Sequence, residues 1–154
     1  FRGIGEAKAI SIVSALELGR RRKEADIAPV TKITGSKDAF HVLYPVFADL
    51  NNEEFWILTL NRANTITGKH LISKGGMTGT VADPKIIFKT ALEHNAVNII
   101  LAHNHPSGNL TPSQQDIVLT KRLAEAGKLL ELCVLDHLIF ANKAYFSFGD
   151  EGLI

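Results

Sequence analysis

The sequence predicts one α/β domain built on a single β-sheet over most of its 154 residues. Two observations carry this prediction. Short runs rich in β-branched and aromatic residues alternate along the chain with segments of helical periodicity. Hydrophobic residues make up 45% of the chain and charged residues 21%, which is the usage of a globular protein with a real core.

The N-terminal third is predicted to hold two helices separated by a linker. Apolar residues recur about once per turn over residues 6–22 and indicate the first helix. A proline and a glycine then interrupt the pattern, which favours a linker over residues 24–35. Ser36 is predicted to be the N-cap of a second helix that ends near Asp49 and begins the main domain, residues 36–154.

From residue 53 onward, strands and helices are predicted to alternate. The predicted strands are 53–61, its hairpin partner 65–73, a short one near 77–81, then 96–104, 129–141 and 144–150. The predicted helices are 83–95 and 111–127. Each has an N-cap, a proline at its first position and a closing residue: Asp83, Pro84 and Asn95, then Thr111, Pro112 and Gly127.

Composition excludes several classes of protein. A net charge of +1 gives no electrostatic case for bulk nucleic-acid or membrane binding. No run approaches the roughly 18 apolar residues of a membrane span. One cysteine, Cys133, excludes an internal disulfide and a Cys-rich zinc cluster, and its apolar strand predicts a core position. A cytoplasmic, reducing setting is expected, although a chain that starts at Phe1 leaves a lost leader open.

The stretch "HNHPSGNLTPSQQD" leaves a predicted strand and enters a predicted helix. His103 and His105 are two apart in an extended segment, so both side chains can point to one side. Asp116 lies near the start of the next helix and can join them. Two imidazoles and one carboxylate leave the fourth zinc position to water, as in catalytic zinc sites.

Structural explanations for the same residues stay open at this point. Chance alone supplies about 0.2 His-x-His pairs in such a sequence. Ser113 and Asp116 also have the spacing of a capping box. However, Pro112 favours Thr111 as the N-cap, and in that register Asp116 caps nothing. A general base is also needed. Glu53 and Glu54 both lie at the start of the predicted strand 53–61, and because both faces of that strand are apolar, its periodicity does not choose between them.

The spacing His-x-His-Pro, six residues, Ser-x-x-Asp matches the JAMM signature of JAB/MPN-domain metalloproteases at every position. More narrowly, the chain resembles the bacterial RadC family over about residues 36–150. The segments that carry this resemblance are "NAVNIILAHNHPSGNLTPSQQD", "PKIIFKTAL" and "VLDHLIF". The resemblance implies the JAB/MPN fold, a curved mixed β-sheet flanked by helices, similar to cytidine deaminases but lacking their Cys-x-x-Cys pair.

The resemblance also implies roles for individual residues. His103, His105 and Asp116 would bind one zinc ion per chain. Glu53 fits the family's strand pattern as the general base, with Glu54 as the alternative. Ser113 matches the serine that helps to stabilise the oxyanion. The implied activity is a zinc metallopeptidase or isopeptidase that acts on a peptide or protein substrate.

Two other functions are considered beside this one. The first is a non-enzymatic module stabilised by zinc in a protein associated with DNA binding or repair. The second is a zinc hydrolase of a small amide or a nucleotide. Residues 1–23 resemble the end of a helix-hairpin-helix, whose Gly-Ile-Gly hairpin offers a weak route to DNA. The DNA-repair label of the RadC family has no support in the residues of the main domain, and no membrane partner is expected.

The remaining histidines differ in their expected roles. Asp136 and His137 lie side by side in a predicted strand and are candidates for contacts around the metal ligands. A hydrogen-bonded polar pair in the core explains them equally well. His41, His70 and His94 lack ligand spacing and are expected to be surface or packing residues.

Overall fold

The computed structural model describes residues 5–25, 32–75 and 82–154. The chain divides into two compact units, residues 1–30 and 31–154. In the first unit, helix α1 (Glu6–Ala25) confirms the predicted first helix and extends it by three residues. Most of the Gly-Ile-Gly hairpin, half of the predicted linker and the short strand predicted near 77–81 lie outside the described residues.

The second unit is built on a five-stranded mixed sheet with the strand order β2-β1-β3-β4-β5. Its strands are β1 (Glu54–Leu60), β2 (Ile66–Lys74), β3 (Asn98–Asn104), β4 (Cys133–Ala141) and β5 (Ala144–Ser147). Its helices are α2 (Ser36–Phe47), α3 (Pro84–Glu93) and α4 (Gln114–Leu129). Strands β3 and β4 run parallel, and the other neighbouring pairs are antiparallel. This confirms the predicted α/β class, a mixed sheet flanked by helices.

Apolar side chains cover both faces of the sheet. Alternate residues of β1 and β3, such as Ile57 and Leu101, belong to one buried cluster with Ile87 of α3 and Leu123 of α4. Elsewhere in this unit, the aromatic rings of α2 stack on β4, where Phe47 and Phe140 have ring centroids 4.4 Å apart. The predicted burial of β1 on both faces is confirmed.

Strand pairing sets the position of the candidate site. Strand β1 pairs antiparallel with β3, so that Phe55 at the start of β1 lies opposite His103 at the end of β3. The residue before β1 is therefore adjacent to the residues that follow β3. The parallel neighbour β4 brings Ile139 beside His103 on the other side. Segments far apart in sequence thus meet at the end of β3, as is typical of sites in α/β proteins.

The start of α2 differs from the prediction. Gly35 is the N-cap, and Ser36 is the first helical residue. The Ser36 hydroxyl makes no cap; it donates to a carboxylate oxygen of Asp150 at 2.6 Å and lies 3.0 Å from the Tyr145 hydroxyl. The Ser36 side chain thus bonds to residues near the C-terminus of the chain. A capping rule based on neighbouring residues cannot predict such long-range contacts. The helix also ends at Phe47, two residues before the predicted end.

The end of α4 differs too. Gly127 does not close the helix, which continues to Leu129. The backbone carbonyl of Leu132 occupies the space where a side chain at position 127 would lie, so the glycine permits a close approach. Glu131, with φ of 52°, then turns the chain, and β4 begins at Cys133 instead of residue 129. Cys133 is exposed, so its predicted core position is wrong.

Candidate metal centre

His103, His105 and Asp116 converge at the end of β3. The Nε2 atoms of the two histidines are 2.9 Å apart. Asp116 Oδ1 lies 3.3 Å from His103 Nε2, and Asp116 Oδ2 lies 3.7 Å from His105 Nε2. Among the described residues, these three side chains form a group able to hold a metal ion, with their ligand atoms all within 4.8 Å of one another. The expected side-by-side orientation of the two histidines is therefore observed.

The start of α4 fixes the Asp116 carboxylate, and here the predicted register is wrong. Ser113 is the N-cap, and Thr111 and Pro112 precede the helix. Ser113 Oγ accepts from the Asp116 N–H at 3.1 Å, and Asp116 Oδ2 accepts from the Ser113 N–H at 2.7 Å. This reciprocal capping box holds the carboxylate in one orientation. Proline is compatible with an extended loop as well as with the first position of a helix. Pro112 therefore did not identify Thr111 as the N-cap.

A chain of hydrogen bonds fixes the proton position on His103. The Thr120 hydroxyl donates to the Asp116 carbonyl at 2.6 Å, so it accepts from His137 Nδ1, also at 2.6 Å. Burial lowers the pKa of His137 well below its usual range, so this ring is neutral and its Nε2 accepts. His103 Nδ1 therefore donates to His137 Nε2 at 2.8 Å. The Nε2 lone pair of His103 is left facing the centre.

His105 reaches the same tautomer through a simpler contact. Its Nδ1 lies 2.7 Å from the Asn109 carbonyl, which can only accept a hydrogen bond. The hydrogen is therefore on Nδ1, and Nε2 presents a lone pair. Both histidines thus offer Nε2 to one point with their other nitrogen already hydrogen-bonded. This is the arrangement of imidazoles that bind metals in proteins.

The charges of the site favour a cation. A proton added at His105 Nε2 would form a hydrogen bond with Asp116, and this raises the pKa of His105; burial opposes the shift, and the Asn109 carbonyl and the charges of Asp116 and Glu53 support it. Burial by itself would raise the pKa of Asp116. The interactions of the carboxylate with protonated His103 and His105 outweigh burial and hold that pKa well below its usual range. The carboxylate is therefore ionised at neutral pH, as a metal ligand must be.

An open cleft of about 630 Å³ lies beside the candidate centre and has His105 in its lining. Its lining includes Asn51, Asn52, Glu53, His105, Asn109 and Ser113. Glu54 does not line it. The Glu54 side chain is 6% exposed, lies 2.9 Å from Lys74 Nζ and accepts from Trp56 Nε1 at 2.9 Å. Because successive side chains along a strand point to opposite sides, Glu53 lines the cleft, whereas Glu54 contacts Lys74 and Trp56.

Asp136 and His137, predicted together, have separate roles. His137 contacts His103, as described above. Asp136 instead accepts from the Ser147 hydroxyl at 2.7 Å and from the Gly149 N–H at 2.8 Å. Burial raises the pKa of Asp136 in spite of these hydrogen bonds. Adjacent strand residues point to opposite faces, so Asp136 is a core polar residue that stabilises the C-terminal turn.

The other three histidines lie outside the candidate centre. The rings of His70 and His94 are in contact, with centroids 3.9 Å apart. Burial and the neighbouring charge of His94 lower the pKa of His70. The ring of His41 packs near that of Phe40, with centroids 5.7 Å apart. These contacts are those of surface and packing residues, as expected from their spacing.

Sequence reasoning missed two side chains that shape the site. Thr120 is fully buried and connects His137 to the backbone of Asp116. Its spacing four residues after Asp116 on one helix face was a usable signal. Phe55 stacks on His103 with ring centroids 5.8 Å apart. That contact depends on the pairing of β1 with β3, which the local sequence does not reveal.

Comparison with known proteins decides the family. A family model described as the RadC-like JAB domain matches residues 33–153. The chain belongs to the RadC-like JAB domain family. This matched range contains the whole sheet and the candidate metal centre. Membership in the RadC-like JAB family suggests a metallohydrolase of JAMM type.

Three similar proteins are each named a UPF0758 protein. The one from Flavobacterium johnsoniae is 52% identical over 153 residues, covering 99% of this chain and 67% of the relative. The one from Porphyromonas gingivalis is 45% identical, and the match covers 100% of this chain and 68% of the relative. The one from Methanosarcina mazei is 38% identical, and the match covers 99% of this chain and 66% of the relative. The chain spans about two thirds of the length of these relatives.

Among the residues that the structure describes, no helix has the length and apolar character needed to cross a bilayer.

Proposed function

We propose that this RadC-like JAB chain is a zinc-dependent hydrolase, a metallopeptidase or isopeptidase of JAMM type. The observation that carries the proposal is the convergence of His103 Nε2, His105 Nε2 and the Asp116 carboxylate beside a cleft that Glu53 also lines. Two imidazoles and one carboxylate are the donor set of catalytic zinc sites, which keep a coordination position open. The hydrogen-bonded tautomers described above fit this role.

Zinc, when bound, supplies the Lewis acidity that lowers the pKa of water and polarises a carbonyl. The chain supplies the remaining chemistry. Glu53 accepts the proton of the attacking water and passes it to the leaving amine. His137 and Thr120 keep the ligand His103 in its Nε2-presenting tautomer. Asp116 remains anionic and is oriented by the capping box.

Ser113 has a hydroxyl that can serve both the helix and the reaction. The cap uses a lone pair of Ser113 Oγ, which accepts from the Asp116 N–H. The O–H of the same group is left to donate into the cleft that Ser113 lines. We assign this hydrogen bond to the carbonyl oxygen that gains negative charge during attack.

The cleft favours a peptide as substrate. Its lining, within the described part of the chain, contains no lysine or arginine and offers the amide side chains of Asn51, Asn52 and Asn109. Such groups suit a peptide main chain, whereas a nucleotide phosphate needs cations or backbone N–H groups. The open cleft beside the centre also favours catalysis over a purely structural zinc. The route to DNA through the N-terminal hairpin stays a prediction.

Metal analysis and amide hydrolysis test the proposal together. Protein purified without chelator is expected to contain one zinc per chain and to cleave members of a panel of peptide and isopeptide substrates. A chelator should abolish cleavage, and added zinc should restore it, because the ligands remain in place. A folded sample that takes up no zinc, or that is fully loaded and cleaves no amide in the panel, contradicts the proposal.

The exchange Ser113→Ala is expected to have two effects. Loss of the cap should lower the free energy of unfolding by about 1 kcal/mol. Loss of the donor should lower turnover by roughly 10²–10³ with little change in KM, because the hydrogen bond strengthens as charge develops. Melting curves and steady-state kinetics measure the two effects separately.

The matched control is Asp83→Ala, which removes the N-cap of α3. The Asp83 side chain accepts from the Lys85 N–H at 2.9 Å and does not line the cleft. This variant should lose similar stability and keep its turnover. If Ser113→Ala also keeps normal turnover, Ser113 is a helix cap and nothing more.

A further inference from the structure

Asn104 lies between the two candidate histidine ligands in sequence, and its side chain is bound to the segment that carries Glu53. Asn104 Oδ1 accepts from the Glu54 N–H at 2.8 Å. Asn104 Nδ2 donates to the Asn52 carbonyl at 3.0 Å. The residue is buried, with 5% of its surface exposed. One amide group thus bonds the main chain on both sides of Glu53.

These two hydrogen bonds take over where the backbone ladder stops. The pairing of β1 with β3 ends at Phe55 and His103. Asn104 pairs with Phe140 of β4 but has no ladder partner in β1. Its side-chain amide offers a donor and an acceptor, as a peptide group does. It therefore extends the connection between the two strands to the residues that precede β1.

A further hydrogen bond comes from the other side of the segment. The Gly75 N–H, just after β2, donates to the Glu53 carbonyl at 2.7 Å. The main chain is thus held at the Asn52 carbonyl, the Glu53 carbonyl and the Glu54 N–H. We propose that Asn104 is a positioning residue. It sets the position of the Glu53 carboxylate relative to His103 and His105, the candidate ligands on either side of Asn104 in sequence. Its catalytic consequence rests on the proposed function.

The chemistry of the position favours asparagine. Alanine removes both hydrogen bonds, so the buried Glu54 N–H loses its acceptor and the Asn52 carbonyl loses its donor. Aspartate keeps an acceptor for the Glu54 N–H but has no donor for the Asn52 carbonyl. Asn104→Ala and Asn104→Asp therefore separate the two contacts. Asn104→Asp keeps nearly the same side-chain volume, so it can be measured if the alanine variant does not fold.

The test compares these variants by amide hydrogen exchange, zinc content and kinetics on the full chain. In Asn104→Ala, the Glu54 amide should exchange at least about tenfold faster, with or without zinc. Zinc content should stay at one per chain, because Asn104 is not a ligand. On a peptide or isopeptide substrate, kcat should fall by about 10- to 100-fold with KM within about twofold. Asn104→Asp should keep the Glu54 amide protected and lose less turnover.

A double variant shows whether Asn104 acts through Glu53. In the Glu53→Gln background, Asn104→Ala should cause no further loss of the residual turnover. The matched control is Asn98→Ala, at the opposite end of β3. Asn98 Nδ2 donates to Asn64 Oδ1 at 2.7 Å, so its loss also frees a loop but away from the cleft. Asn98→Ala should leave the Glu54 amide and turnover unchanged.

Three results overturn the proposal. They are a Glu54 amide that stays protected in Asn104→Ala, an unchanged kcat once that protection is lost, and equal losses of turnover with and without Glu53. Failure of the proposed function looks different, because the wild-type chain would then hydrolyse no amide at all. In that case the exchange data by themselves decide whether Asn104 holds the segment around Glu53.

Discussion

The exchange Glu53→Gln is expected to abolish most hydrolysis while zinc binding stays at one ion per chain. Glutamine has nearly the same shape as glutamate but cannot take up the proton of the attacking water. General-base catalysis contributes about 10²–10⁴ in rate, so kcat should fall by at least about 10². Because Glu53 is not among the three converging ligands, zinc affinity should hardly change. Zinc titration and steady-state kinetics on the same samples provide the measurement.

Glu54→Gln is the matched control for this prediction. The two glutamates are neighbours in sequence, but Glu54 is buried against Lys74 and Trp56 instead of lining the cleft. Its exchange should lower the melting temperature slightly, because the buried Glu54 carboxylate loses its ion pair with the exposed Lys74 ammonium. Turnover per folded molecule should stay near the wild-type value. The opposite pattern, with turnover lost only in Glu54→Gln, would show that the general base is Glu54.

The exchange His105→Gln is expected to remove zinc binding and, with it, hydrolysis. His105 is one of three ligands, and the site retains only two without it. Loss of a hydrogen-bond partner outside the ligands alone costs about 10- to 100-fold in metal affinity. Loss of a ligand should therefore cost more than about 10²-fold. The protein should still fold, since His105 lines the open cleft and is not part of the buried apolar cluster.

His94→Gln provides the comparison for His105→Gln. His94 is an exposed histidine in ring contact with His70, and neither belongs to the group of converging ligands. Zinc affinity, measured by competition with a chelator of known affinity, should be unchanged in this variant. If His105→Gln binds zinc as tightly as His94→Gln does, the metal does not sit where the two Nε2 atoms converge, and the proposed site is wrong.

The convergence of the three candidate ligands could be predicted from the sequence because it is almost entirely local. His103 and His105 lie at the end of one strand, and Asp116 lies in the first turn of the next helix, eleven residues after His105. Their spacing within this single connection restricts how far apart they can lie. The residue at which this helix begins was harder to predict from the sequence. Thr111 and Ser113 are both favourable N-cap residues, and in the structure the reciprocal hydrogen bonds between Ser113 and Asp116 make Ser113 the N-cap.

The sequence by itself determined the α/β class, the order of the elements and the residues of the candidate metal centre, since these follow from periodicity and short-range spacing. Tertiary structure decided what surrounds that centre. The antiparallel pairing of β1 with β3 brought Glu53 to the cleft and placed Asn104 against its main chain. The parallel pairing of β3 with β4 brought His137 to His103. Pairing depends on which strands become neighbours, and contacts between residues 34 to 52 positions apart leave no periodic signal in either segment.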